Sequence, residues 1–364
     1  MYNINIGLSN MVLAVLKGPR YDSFLIDGNL IPINHFYESA QAPDTVILYD
    51  HLYGFDKDGN NQVLQKLSDI SSSNNKKILV SYPQILPLNI LQKYPNLDIR
   101  FNSSQQIEVE FDIFDNINIA DNVVPTNFLM TLLGTDNIGR WLLCAALDKA
   151  GWLNLDYSSK NLGFDIDTID SYIRNNVPAT EEPYYFNRLI NLERRQFYLD
   201  IQHDNSWRTG PDYQFPNRMT VLDPTRIFDV LPKIEKCFLY VVSEAMSASY
   251  VPYITEKVLY SILPGNLFLA YAQPGWHASL KHNYGFKMYE DIFDYSFDAI
   301  TNPVKRLDTL LNTIQPYSNM TPDEWMDIYK LTKDTREFNK HHFLSGDCYK
   351  TIRQRDTWTQ EKWK

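Results

Sequence analysis

The chain has 364 residues, of which 44% are hydrophobic and 14% aromatic, so it can bury a sizeable core and is more typical of two domains than of one. Its formal net charge of -10 disfavours a protein that holds nucleic acid on a broad basic face. The cysteines Cys144, Cys237 and Cys348 are few and far apart, which favours a reducing compartment over a disulfide framework. We therefore expect a cytoplasmic location.

Apolar runs along the sequence are short. None reaches the roughly 18 to 20 residues that a membrane helix requires. The first residues also lack a basic segment followed by an apolar one, the pattern of a secretory signal. The sequence therefore predicts neither a membrane span nor a signal peptide.

In the first third of the chain, short apolar runs at 13–16, 45–49 and 77–81 are predicted strands. Between the last two, residues 61–70 carry apolar side chains at helical spacing, namely Val63, Leu64, Leu67 and Ile70. This strand–helix–strand unit is typical of an α/β fold with a mainly parallel sheet.

The middle of the chain begins with another apolar run, a predicted strand at 126–133. A polar turn leads from it into a predicted helix over 138–150, and Gly151 is placed to cap the end of that helix. Residues 155–180 are polar and predicted to be irregular, as in an excursion between domains, while 181–199 are predicted to be helical.

The last third continues the alternation of strands and helices. In chain order the pattern predicts a strand at 237–242, a helix at 255–262, a strand at 267–270, and helices at 277–283, 301–314 and 322–338. Thr255 is a suitable N-cap for the first of these helices. The pattern along the whole chain therefore predicts an α/β fold.

The most informative segment is 253–257, which reads Tyr-Ile-Thr-Glu-Lys. An adjacent Glu and Lys are more often a solvated helix surface than a site. Here, however, they open a predicted helix that follows a predicted strand, and ligands of open α/β folds bind at the carboxyl ends of strands. Lys257 and the helix N-terminus would attract phosphate, and Glu256 would hold ribose or sugar hydroxyls. The segment therefore predicts a nucleotide-sugar site.

Several features follow one another around this segment: a strand that ends in Ser243-Glu244, the Thr-Glu-Lys triplet, the Pro264-Gly265 turn, a second strand, Gly285-Phe286 and the acidic-aromatic residues 294–298. Their order resembles the donor-binding half of GT-B glycosyltransferases of the alpha-1,3-fucosyltransferase type. It is more similar still to phage and virus glycosyltransferase-like proteins related to them. The resemblance extends over about residues 128–314, roughly half of the chain.

The resemblance implies a GT-B fold, in which two Rossmann-like domains face each other across a cleft. Residues 1–124 would form the acceptor-side domain and residues 125–315 the donor-binding domain. Residues 316–364 would form final helices that pack back on the N-terminal domain.

The resemblance also implies roles for individual residues. Glu256 would hydrogen-bond ribose or sugar hydroxyls, and Lys257 would contact the diphosphate of the donor, a UDP- or GDP-sugar. The other donor-site residues that it implies are Ser243, Glu244, Tyr253 and Thr255. Asp298 and Arg306 are expected to stabilise the domain rather than to contact the donor.

A second match is the predicted helix start at Arg140. Related proteins carry a His-Arg pair there, and only the arginine remains in this sequence. Its guanidinium fork suits the leaving diphosphate. A surface residue on an amphipathic helix is an equally good interpretation of Arg140, and the sequence does not decide between the two.

Transfer to an acceptor hydroxyl requires a base. Asp50 and His51, just past the strand at 45–49, are the first candidates, although a polar turn explains them as well; His35 and Glu38 are weaker candidates. The fucosyltransferase resemblance implies inversion. No metal site is predicted, because Asp165 and Asp167 lie in an irregular segment and His341-His342 have no partners at metal-ligand spacing. We expect no cofactor beyond the nucleotide-sugar.

The acceptor stays open between two classes. One is a glycan or small sugar, and the other is a hydroxymethylated pyrimidine in phage DNA, which requires base flipping and a local basic groove. The residues available for such a groove are Arg194, Arg195, Trp207, Arg208 and Arg218. A further alternative is a non-catalytic binding or structural protein on a GT-B scaffold, favoured by the altered turn before Arg140.

Overall fold

A computed structural model describes part of the chain as helices and two mainly parallel sheets, which confirms the α/β class. The described residues are 13–16, 23–26, 29–32, 45–48, 55–56, 58–73, 75, 77–82, 85–101, 124–133, 138–153, 158–160, 232–244, 251–254, 256–348 and 350–351. Among these residues, no helix has both the length and the apolar character to cross a membrane.

The first sheet has six strands, which are β1 (Leu13–Leu16), β2 (Ser23–Ile26), β3 (Asn29–Pro32), β4 (Thr45–Leu48), β5 (Ile78–Tyr82) and β6 (Leu97–Phe101). Their order across the sheet is β3-β2-β1-β4-β5-β6. Strands β1, β4, β5 and β6 are parallel, whereas β2 pairs antiparallel with both β1 and β3. The strands predicted at 13–16, 45–49 and 77–81 are confirmed.

Helix α1 (Gln62–Ser73) connects β4 to β5 and confirms the predicted strand–helix–strand unit. It begins after Asn61, whose side-chain oxygen accepts the backbone N–H groups of Val63 and Leu64 at 3.0 Å each. Its apolar face is buried in the first core, together with Phe55, Tyr82 and Tyr94. A short helix, α2 (Leu88–Leu91), precedes β6.

The second sheet has four parallel strands, which are β7 (Asn127–Leu133), β8 (Ser158–Lys160), β9 (Cys237–Ser243) and β10 (Leu267–Tyr271). Every residue of β9 and β10 is buried, as expected for apolar runs in a parallel sheet that is covered on both faces. The predicted strands at 126–133, 237–242 and 267–270 are confirmed. Strand β8 lies within 155–180, which the sequence predicted to be irregular.

The strand order of this sheet, β10-β9-β7-β8, reverses between β7 and β9. From β7 the chain passes through α3 (Ile138–Lys149) to β8 on one side, while β9 lies on the other side and leads outward to β10. Gly151 follows α3 with φ +74°, as predicted for a capping glycine. In open α/β sheets, the crevice at such a reversal, beyond the carboxyl ends of the strands, is where ligands bind.

The connection from β9 to β10 ends in one 3-10 turn, Glu256–Val258, followed by the four-residue helix α4 (Leu259–Ile262). The predicted helix over 255–262 is therefore only partly α-helical, and its predicted cap, Thr255, lies outside the described residues. The helix is short because Pro264 and Gly265, whose φ is +71°, end it after one turn.

After β10 the chain is mostly helical, with α5 (Trp276–Tyr284), α6 (Pro303–Ile314), α7 (Pro322–Leu331) and α8 (Lys333–Leu344), and with 3-10 turns at Tyr295–Ala299 and Gln315–Tyr317. These bounds confirm the predicted helices at 277–283 and 301–314. The helix predicted at 322–338 is instead two helices that meet at Thr332, whose backbone leaves the helical region at φ −93° and ψ 4°.

Helices α7 and α8 contact the second core. Trp325 stacks on Phe238 of β9 at 5.5 Å between ring centroids, and Asn339 exchanges hydrogen bonds with the backbone of Lys287. The aromatic face of α7 thus matches the aromatic residues of β9. The expected packing of residues 316–364 on the N-terminal domain stays a prediction. Residues 352–364 lie outside the described part of the chain, as does the predicted helix at 181–199.

Candidate functional site

Arg140 lies at the reversal of strand order in the second sheet. It belongs to the first turn of α3, the helix that follows β7, and only 4% of it is exposed. Its Nη2 donates a hydrogen bond to the backbone oxygen of Ser243 at 3.4 Å, near the long limit for such a bond. Arg140 is therefore a buried cation at the end of β9, and the interpretation of it as a surface residue is wrong.

Ser243 and Glu244 end β9 at the same place. Both are buried, with exposures of 1% and 0%. The Ser243 hydroxyl has no hydrogen-bond partner within the described residues, and a buried polar group of this kind calls for a physical explanation such as a ligand or water. The Glu244 N–H donates to the Tyr271 carbonyl at 3.3 Å, so the ends of β9 and β10 are joined.

Tyr253 lies at the same edge of the sheet, because its backbone N–H donates to the side-chain oxygen of Gln273 at 3.1 Å. Gln273 follows β10 by two residues and is 1% exposed. Sequence reasoning missed Gln273. The signal was present, since it is a polar residue just beyond the carboxyl end of an apolar strand, the position that drew attention to Ser243 and Glu244.

Glu256 and Lys257 occupy the 3-10 turn before α4. Lys257 is half-buried. Thr255 and the side chain of Glu256 lie outside the described part of the chain. A 3-10 turn followed by one α-helical turn has a much smaller macrodipole than the predicted helix. Attraction for phosphate at this turn would therefore come from the charge of Lys257 and not from a helix N-terminus.

His277 and Asp298 form a buried pair beside this edge. The Ala270 N–H of β10 donates to His277 Nε2 at 3.0 Å, so the ring proton is on Nδ1 and points to Asp298 Oδ1 at 2.8 Å. Asp298 also accepts the N–H groups of His277 and Ala278 at 3.1 Å each. Burial acts to raise the pKa of Asp298, but His277 and these N–H groups outweigh it, and the pKa is below its usual value.

These contacts make Asp298 a structural residue, as expected, because it fixes the start of α5 against β10. Arg306 is structural in the same sense. Its Nη1 donates to the backbone oxygens of Ile300 and Thr301 at 2.7 and 3.1 Å, and it is 3% exposed.

The remaining candidates lie outside the described residues: Asp50, His51, His35, Glu38, Asp165, Asp167 and the possible groove residues Arg194, Arg195, Trp207, Arg208 and Arg218. Asp50 follows the end of β4 by two residues in the sequence, and β4 lies between β1 and β5 in the first sheet. His342 is placed, with Nε2 at 2.8 Å from the Tyr284 carbonyl. Within the described ranges, no three His, Cys, Asp or Glu side chains form a group suited to a metal.

The structure thus brings Arg140, Ser243, Glu244 and Tyr253 to the carboxyl edge of the second sheet, with Lys257 following on the same connection. A buried cation and a buried hydroxyl at this position suit an anionic ligand that also carries hydroxyl groups. In comparisons with family models, curated proteins and solved structures, nothing matches the chain.

Proposed function

We propose that the chain is a glycosyltransferase that takes a sugar from a nucleotide-sugar bound at the carboxyl edge of the second sheet. The observation that supports this most is the contact between Arg140 and the Ser243 carbonyl, which lies where the strand order reverses between β7 and β9. It places a buried guanidinium at the position where an α/β sheet binds the phosphates of a nucleotide.

In the proposed reaction, Arg140 and Lys257 neutralise the negative charge that develops on the departing diphosphate. Electrostatic stabilisation of this kind, by groups already in place, is often the largest contribution to catalysis. Glu256 holds ribose or sugar hydroxyls, and Glu244 lines the same cleft. Asp50 or His51 removes the proton of the acceptor hydroxyl, and the sugar is transferred with inversion and without a metal.

The proposal includes a GT-B arrangement, with residues 1–124 on the acceptor side and residues 125–315 on the donor side. One chain segment connects the two cores and supports this arrangement. Val251 is buried in the first core, whereas Ile254, three residues later, is buried in the second. The connection from β9 to β10 therefore contacts both cores just before Glu256 and Lys257.

A thermal-shift screen of the whole chain with UDP-, GDP- and CMP-sugars tests the donor site. A ligand at about 100 times its Kd stabilises the folded state by about 2.7 kcal/mol. We expect one nucleotide class to raise the midpoint, Lys257→Ala to reduce that shift, and Lys305→Ala, an exposed lysine on α6, to leave it unchanged. If no nucleotide-sugar stabilises the chain and Lys257→Ala changes nothing, the protein is not a glycosyltransferase and a binding or structural role replaces it.

The acceptor class is a separate question, between a glycan hydroxyl and a hydroxymethylated pyrimidine in DNA. Binding to duplex DNA measured at two salt concentrations separates them, because contacts with phosphates make affinity fall steeply with salt. With a net charge of -10, we expect no salt-dependent binding and a glycan acceptor. Affinity that falls steeply with salt would instead favour DNA.

A further inference from the structure

The residues just before Glu256 and Lys257 connect two packed regions. Val251 is 2% exposed in the first core and Ile254 is 2% exposed in the second. The backbone between them crosses the carboxyl edge of the second sheet, where Tyr253 is 8% exposed. This short segment, 251–254, precedes the 3-10 turn that begins at Glu256.

Gln273 holds this segment at its centre. Its side-chain oxygen accepts the Tyr253 N–H at 3.1 Å, and both residues are buried. The backbone of Gln273 is itself fixed, because its carbonyl accepts the N–H of Trp276 in the first turn of α5 at 3.2 Å. The Gln273 side chain therefore extends from the fixed junction between β10 and α5 to the backbone N–H of Tyr253, a residue that belongs to neither a strand nor a helix.

A second contact fixes the segment from the same junction. A Cβ built on Gly275 would lie 3.6 Å from Cγ of Pro252, so the proline packs directly over the turn between β10 and α5. Gly275 has φ +75°, a conformation that side chains with a Cβ rarely adopt. Together, Gln273 and Gly275 hold two successive residues of the segment.

We propose that Gln273 is a positioning residue of the donor site, which acts through the Tyr253 backbone to fix the place of Glu256 and Lys257. This inference rests on the proposed function. Gln273 itself does not contact the donor. Its effect is geometric, because a buried N–H that loses its acceptor drives the backbone to move, and small displacements of a charged group weaken ligand binding strongly.

Two substitutions separate the hydrogen bond from the shape of the side chain. Gln273→Met retains the length and removes the acceptor, whereas Gln273→Glu retains an oxygen in the same place. Gln273→Asn is a second disrupting variant, because it keeps the amide but is too short to reach. Asn266→Ala serves as a control for general loss of stability, since Asn266 is buried at the opposite end of β10.

Amide hydrogen exchange without ligand is the first measurement. Loss of one buried hydrogen bond should raise the exchange rate of the Tyr253 amide on the order of tenfold in the Met and Asn variants. Gln273→Glu, which keeps an acceptor oxygen, should leave the Tyr253 amide as well protected from exchange as it is in the wild-type chain. Unchanged exchange at Tyr253 in both disrupting variants would overturn the inference.

The second measurement is the affinity of each variant for the UDP- or GDP-sugar that stabilises the wild-type chain. We expect the Met and Asn variants to bind on the order of tenfold more weakly, while Asn266→Ala binds as the wild type does. Unaltered affinity in variants whose Tyr253 amide exchanges faster would reject the positioning role alone. No binding to the wild-type chain would reject the proposed function together with this role.

Discussion

The two ends of the second sheet use buried polar residues differently. At the amino end, Tyr329 Oη donates to the carbonyls of Cys237 and Phe238 at 2.9 and 3.0 Å, and Asn266 Nδ2 lies 2.6 and 2.9 Å from the carbonyls of Ile234 and Cys237. At the carboxyl end, the Arg140 contact is longer, at 3.4 Å, and the Ser243 hydroxyl has no partner among the described residues.

Burial of a polar residue therefore does not by itself mark a binding site. The side chains at the amino end satisfy backbone carbonyls through short bonds, and this is a structural role. The carboxyl end has a buried cation and a buried hydroxyl at the reversal of strand order, the position where α/β sheets bind ligands. We therefore assign stability to the amino end and propose ligand binding at the carboxyl end.

Replacing the arginine at each end of the sheet should have the most pronounced effects. Arg336 Nη1 and Nη2 donate to the carbonyls of Gly265 and Tyr329 at 2.8 and 2.7 Å near the amino end. Arg140→Met should weaken nucleotide-sugar binding by about 10- to 100-fold, because a hydrogen bond to a charged group contributes about 1.5–3 kcal/mol. Arg336→Met should instead lower the free energy of unfolding by about 2 kcal/mol and leave affinity unchanged.

Calorimetric titration and urea unfolding of the two arginine variants measure these effects side by side. Arg140→Lys is an additional variant, which keeps the charge and loses the fork, and it should fall between the wild type and Arg140→Met. Equal loss of affinity in Arg140→Met and Arg336→Met would remove the distinction between the two ends.

The next effect is expected at the amino end alone. Asn266→Ala removes two buried hydrogen bonds and leaves the carbonyls of Ile234 and Cys237 without this donor, so the free energy of unfolding should fall by about 2 kcal/mol. Asn283→Ala on α5, whose side chain donates to the Ser279 hydroxyl at 2.8 Å, is a half-buried control with a smaller expected loss. Urea denaturation checks both, and a larger loss in Asn283→Ala would contradict the structural role of Asn266.

A third prediction concerns pH and the Asp298–His277 pair. The pKa of Asp298 is below its ordinary value of 3.8 in the folded chain, so its ionised form stabilises the fold above about pH 4 and this contribution is lost as pH falls through the folded pKa. The stability difference between the wild type and Asp298→Asn should therefore narrow between about pH 5 and pH 2.

Urea unfolding at several pH values measures the narrowing. Asn283→Ala on α5, which removes no ionisable group, is the control and should leave the pH profile of stability unchanged. A stability difference for Asp298→Asn that stays constant down to about pH 2 would show that folding does not change the pKa of Asp298.

The smallest expected changes in the free energy of unfolding come from two buried serines near the second core. Ser261 Oγ donates to the Val258 carbonyl at 2.7 Å, whereas the Ser243 hydroxyl has no partner in the described part of the chain. Ser261→Ala should cost about 1 kcal/mol, and Ser243→Ala should change stability by no more than about 0.5 kcal/mol. Equal losses on urea unfolding would mean that the Ser243 hydroxyl has a structural partner after all.

Much of the fold was predictable because buried strands and helices have recognisable patterns of apolar residues in the sequence. Strands β9 and β10 are buried along their whole length and read as uninterrupted apolar runs, and α1 shows its buried face at helical spacing. The β2–β3 hairpin was missed, although Asp27-Gly28 between two short apolar runs is a hairpin signal. Strand β6 was missed because Asp98 and Arg100 interrupt its apolar pattern.

The site was only partly predictable. The rule that ligands bind at the carboxyl ends of strands selected Ser243 and Glu244, and the structure adds their burial. What the sequence could not supply is the distance between segments far apart in the chain. The contact of Arg140 with Ser243 spans 103 positions, and the hydrogen bond from Tyr253 to Gln273 spans 20. Such pairings follow from strand order, which local patterns do not specify.

Hydrogen exchange of the full chain, with and without the nucleotide-sugar that stabilises it, shows which end of the second sheet binds the ligand. Ligand binding at the carboxyl edge should slow exchange at the start of α3, at 243–244 and at 251–257, and leave 264–266 and 329–336 at the amino end unchanged. Protection concentrated at the amino end, with none at the start of α3 or at 251–257, would contradict the assignment of ligand binding to the carboxyl edge.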